Sequence, residues 1–162
     1  MWPRLLRIIP RRGTAKTKKI LERVPADKLA WKPHEKSMTL GRLAMHIAEL
    51  PGWVKSTLET EGFDFGKSAY KPVIPGSHDE IMQEFGRSMA KALEGLGTAT
   101  EEQLDFTWTA TRGDQVIFAV PRRGMIRNNL GHIIHHRGQL SVYLRLLGVP
   151  LPNLYGPTAD ER

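Results

Sequence analysis

GHIIHHRGQLSVYLRLLGV, residues Gly131–Val149, holds three of the chain's six histidines within five positions. It also has the apolar spacing of a helix, with Ile133, Ile134, Leu140, Val142, Leu144, Leu146 and Leu147. A helix turns about 100° per residue, so residues four apart share a face. His132, His136, Gln139 and Tyr143 then fall within about 60° of one another, a polar stripe on the edge of an apolar helix. Buried polar groups need partners, and one metal ion can satisfy two imidazoles one turn apart. The plainer alternative is a solvated or hydrogen-bonded histidine cluster at the end of a bundle. His132 and His135 are also one turn apart, and geometry does not choose between the two pairings.

Upstream of this stretch, Leu104–Val120 has a different period. Phe106, Trp108 and Ala110 alternate with polar residues, as do Val116, Phe118 and Val120, with TRGDQ between them. That pattern predicts a β-hairpin. The last helix then runs from about Met125 to Leu147, and the proline-rich GVPLPNLYGPTADER packs as an extended tail. Ser77 caps a helix whose first turn is acidic and whose core face is Ile81, Met82, Phe85, Met89, Ala92, Leu93 and Leu96, with Gly95 and Gly97 ending it. Gly62–Pro75, rich in glycine and proline, reads as a loop. Ser37–Leu50 is a helix capped by Ser37 or Thr39, with Leu43, Ile47, Leu50 and Val54 on its core face. His46 borders that face. Pro51-Gly52 kinks or interrupts the helix, which resumes at Trp53–Thr60. Thr14–Val24, capped at Thr14 or Thr17, is the first helix. Four amphipathic helices, none stable alone, predict an all-α four-helix bundle with a short hairpin between helices three and four. His46 on helix two and His132 and His136 on helix four form a three-histidine constellation if those helices face each other.

A chain of 162 residues suits one domain with one core. The absence of cysteine excludes disulfides, thiolate ligands and a cysteine nucleophile. No apolar run approaches the roughly 18 residues of a membrane span. The net charge of +7 resides in residues 1–23, which carry eight basic side chains and one acidic, while the remaining residues are balanced. A nucleic-acid or membrane-surface role would rest wholly on that head, so nucleic acid is not the expected partner. Residues 1–13 read as a basic, poorly ordered segment and 14–162 as a single domain.

Three segments carry a family resemblance: GHIIHHRGQLSVYLRLLGVPLPNLYGPTADE, LGRLAMHIAEL around His46, and FTWTATRGDQVIFAVPR. Together they resemble the DinB-like family of metal-binding four-helix bundles, over about residues 15–162. The resemblance implies a metal triad of His46, His132 and His136, with His135 a neighbour. It implies a zinc or nickel cofactor, a homodimer, and activity as a thiol S-transferase, thiol-dependent isomerase or hydrolase. The proline-broken basic head departs from the family's amphipathic start of helix one.

Three neutral imidazoles leave a divalent ion its full charge and an open position, the layout of catalytic rather than closed structural sites. The expected function is therefore an enzyme in which such a metal activates water or a small thiol, with Gln139, Tyr143 and His135 as supporting groups. No acidic residue stands out as a general base, and Glu49, three residues after His46, reads as a surface charge. The alternative is a non-catalytic stress-response or interaction protein with a structural metal. The lack of cysteine and of targeting signals fits a cytoplasmic protein.

Overall fold

A computed structural model describes residues 13–161. Among these, α1 is helical over residues 13–21, and α2 (Leu40–Glu49), α3 (Gly52–Glu59), α4 (His78–Thr98), α5 (Glu101–Asp105) and α6 (Arg122–Leu146) follow it. Three short strands, β1 (Gly62–Asp64), β2 (Thr107–Arg112) and β3 (Gln115–Pro121), form one sheet in that order. The molecule is mostly helical, with α1, the α2–α3 pair, α4 and α6 as the four members of a bundle. The basic head, apart from Gly13, lies outside the described residues.

The helix starts follow local chemistry. The Thr39 side chain accepts from the Arg42 amide at 3.2 Å and Ser77 from the Glu80 amide at 3.2 Å, each satisfying an amide that the helix leaves free. Thr17, by contrast, lies inside α1, where its hydroxyl donates back to the Gly13 carbonyl at 2.9 Å, so it is not a cap. Proline lacks an amide donor, and α2 and α3 separate at Pro51. Asn129 of α6 spans the break, donating to the Leu50 carbonyl at 2.8 Å from a fully buried position.

α4 runs past both of the glycines expected to end it. Gly95 serves packing instead: a Cβ there would lie 3.3 Å from the Lys55 backbone and 3.2 Å from Leu58. α3 and α4 therefore approach closely.

The segment expected to be wholly loop contains β1, which pairs parallel with β2 in the register Gly62↔Thr109. The expected hairpin is thus two strands of a three-stranded sheet. A Cβ at residue 62 would stand 2.1 Å from the Thr109 carbonyl oxygen, so β1 can sit there only with glycine. Gly113, at φ +58, makes the β2–β3 turn. Asp64 ties β1 to that turn by accepting from the Gly113 amide at 3.0 Å and the Gly66 amide at 2.8 Å. The last helix begins three residues earlier than expected, at Arg122, whose guanidinium donates to the Thr60 carbonyl at 2.9 Å.

Ile20 and Leu21 of α1 pack with Leu43 and Ile47 of α2, Ile81 and Phe85 of α4, and Leu140 and Leu144 of α6. A second cluster joins Val54, Leu58, Ala92, Leu104 and Ile126. The first cluster fixes α2 against α6, and that contact positions the histidines.

Candidate metal centre

Leu43, Ile47 and Leu50 are buried and point α2 inward, which brings His46 to the α2–α6 seam. On α6, the buried Ile133 and Leu140 set the rotation that turns His132 and His136 to the same seam. The three imidazoles converge: one ligand atom from each lies within 4.8 Å of the others. His132 Nε2 is 3.4 Å from His46 Nε2 and 2.8 Å from His136 Nε2. Around a tetrahedral ion with bonds of about 2.0–2.1 Å, ligand nitrogens stand about 3.4 Å apart. The His46–His132 spacing matches that figure, and the His132–His136 spacing is tighter.

The outer nitrogen of His136 explains why its inner one carries a lone pair. His136 Nδ1 donates to Gln139 Oε1 at 2.6 Å, leaving Nε2 without a proton. His46 Nδ1 lies between Arg42 Nη2 at 3.5 Å and Glu49 Oε2 at 3.7 Å. His136 Nε2 thus faces the other two rings with a lone pair that a divalent cation can accept.

Burial first, then the neighbouring His136, His46 and His135, push His132 down to about 4. Burial also lowers His136, against the opposing bond to Gln139 and with further lowering from His46, His135 and Arg42. Both are therefore neutral at pH 7, the state a ligand needs. Glu49 is 10% exposed in its side chain and accepts from Arg42 Nη2 at 3.1 Å and from the Tyr70 hydroxyl at 2.9 Å. Burial alone would raise its pKa, but His46, Tyr70 and Arg42 outweigh it and hold the carboxyl below its usual range.

The model of the DinB family matches residues 11–162, nearly the whole chain. The chain belongs to the DinB family. YrdA of Bacillus subtilis strain 168 is 25% identical over 150 residues, covering 90% of this chain and 83% of YrdA. A DinB-like protein from Bacillus cereus ATCC 10987 has a similar structure, with a TM-score of 0.69 at 23% identity over 90% of this chain and 92% of that one. The DinB-like protein YjoA of Bacillus subtilis gives a TM-score of 0.64 at 22% identity over 93% of each chain. These likenesses are of fold.

Within this DinB-family chain, the expected site residues separate into two groups. His46, His132, His136 and Gln139 come together. His135 is exposed, with its ring 5.1 Å from that of His136, and it lines a shallow depression beside His132 together with Gly124, Arg127, Asn128 and Gly131. Tyr143 packs into the first core cluster, edge-on to Trp31 at 5.7 Å, and its hydroxyl donates to the Met38 carbonyl at 3.3 Å.

Glu49 is not the surface charge it seemed but a largely enclosed neighbour of His46. Trp53, in the first turn of α3, walls the site at 5.8 Å from the His46 ring and 6.1 Å from that of His132. Its i+7 spacing from His46 was available as a signal. Arg42, one turn before His46, carried the same signal, whereas Tyr70 arrives from a distant loop and carried none.

Proposed function

We propose that this DinB-family protein is a metal-dependent enzyme in which a divalent ion, zinc or nickel, is held by His46, His132 and His136. The reaction class is hydrolysis or transfer of a small thiol to an electrophile. The supporting observation is the convergence of three Nε2 atoms whose rings are fixed from behind by Glu49 and Gln139. When bound, such an ion supplies an open coordination position and lowers the pKa of the water or thiol placed there. Gln139 fixes the His136 tautomer, and Glu49 stands behind the His46 ring. Trp53 shields one side of the triad from water. His132 opens toward the depression lined by Arg127, Asn128 and His135, where a substrate can approach. A low-molecular-weight thiol fits this reading as substrate, and a homodimer as the assembly.

Metal content by elemental mass spectrometry, wild type beside His136→Ala, tests the site. We expect about one ion per chain, lost in the variant. The loaded protein is then assayed with small thiols plus electrophiles and with simple esters. Turnover that disappears in His136→Ala supports the enzyme. A bound metal whose removal lowers the melting temperature, with no turnover of any substrate, would instead assign it the structural role of tying α2 to α6.

A further inference from the structure

The two core clusters do not merge. Between them lies a cavity of about 360 Å³, walled by Val54 of α3, Phe85, Met89 and Ala92 of α4, and Leu130 and Ile133 of α6. That size and apolar lining suit a small molecule. One further wall residue is charged. Arg137 lines the cavity and is 3% exposed. Its guanidinium donates to the Gly13 carbonyl at 3.3 Å, to the Thr17 hydroxyl at 3.1 Å, and to the Tyr155 hydroxyl. All three acceptors are neutral.

Lys16 lines the same cavity, with its Nζ 3.8 Å from the centroid of the Tyr155 ring, and Arg137 approaches that ring at 5.3 Å. Among the described residues, neither cation forms an ion pair. Arg42, by comparison, is also buried and is paired with Glu49. A buried guanidinium favours an anionic oxygen partner, for which its planar fork is built. Here the cavity places open apolar space beside two cations that have none.

We propose that this cavity binds an anionic amphiphile: a monocarboxylate whose head pairs with Arg137 and Lys16 and whose unbranched apolar tail lies between α4 and α6. The site is separate from the triad. Arg137 follows His136 directly, but one residue turns about 100° around the helix, toward α1 and α4. The chain's own head is a poorer occupant, because residues 1–12 carry four arginines and no acid and would add to the positive charge.

Decanoate tests the proposal, with decanol as the neutral probe of equal length, both titrated calorimetrically into the full chain. One decanoate per chain is expected, bound at least about tenfold more tightly than decanol, as a paired charge would give. Arg137→Met should remove that preference while leaving decanol binding as it was. Because Arg137 also joins α1 to α6, two further variants keep the test open should Arg137→Met fail to fold. Lys16→Ala should weaken decanoate alone, and Ala92→Phe, which fills the cavity, should abolish both ligands. Chelator or His136→Ala should leave decanoate binding unchanged, so the result stands apart from the fate of the metal site. No saturable decanoate binding, equal affinity for the two probes, or binding lost on chelation would overturn the proposal. So would binding that appears only in an Ile8→Ser/Ile9→Ser variant, which would assign the cavity to the chain's own head.

Discussion

Glu49 connects the triad to the rest of α2. It accepts from Arg42 and from Tyr70 while facing His46 Nδ1, so one carboxylate ties the His46 ring to two other side chains. Glu49→Gln keeps the shape and removes the charge. Losing such an outer partner costs roughly 10–100-fold in metal affinity, and competition against a chromogenic chelator should show a loss in that range. An unchanged affinity would mean that Glu49 serves only Arg42. His132 makes a second prediction. Its pKa is depressed to about 4 from an ordinary 6.5, so between those values the unfolded chain binds a proton that the fold refuses. Stability of the metal-free protein should therefore rise with pH through that window and be lost as the pH falls from 6.5 toward 4. Denaturant melts of the chelated protein at pH 7 and pH 5 check this. His132→Gln should lose less stability between the two than wild type does; equal losses would place the pH dependence elsewhere.

At the scale of elements, β1 and α6 respond to different forces. A methyl group at Gly62 would meet the Thr109 backbone, which cannot move aside without breaking the β1–β2 pairing. Gly62→Ala is expected to cost about 1–3 kcal/mol, the range for overpacking, and to show as increased amide exchange across Gly62–Asp64. Leu140, fully buried in the first cluster, should cost about 2–5 kcal/mol when cut to alanine, measured by urea unfolding. These elements were not equally legible in the sequence. α2, α4 and α6 repeat apolar residues over successive turns, so periodicity found them. β1 has three residues, too few to alternate, and its pairing is parallel and 47 positions distant in Gly62↔Thr109. Gly95 resembled a helix stop because its neighbour α3 cannot be seen from α4 alone. The triad was partly legible: spacing offered His132 with either His135 or His136, the family resemblance pointed to His136, and the rotation of α6 against α2, a property of packing, is what puts His135 outside. Tyr70 reaches Arg42 through a loop whose path no local pattern encodes.

At the scale of the whole molecule, the ties to α6 span long stretches of chain. Arg137 reaches Thr17 across 120 positions, and His132 reaches His46 across 86. No described helix is long and apolar enough to cross a membrane. α4 packs on α2 and on α3, which are close to it in sequence, whereas α6 must return from the far end of the chain onto α2 and α3. That layout sets a sequence of events in time. Near contacts close first because a shorter loop loses less entropy, so the α2–α4 unit should assemble early and α6 should dock after the rate-limiting step. Leu140→Ala would then accelerate unfolding and barely alter the refolding arm of a chevron plot. The triad, split between the early unit and the late helix, would have no affinity for metal until the chain has all but finished folding, so stopped-flow metal uptake by refolding protein should lag behind the recovery of helical signal.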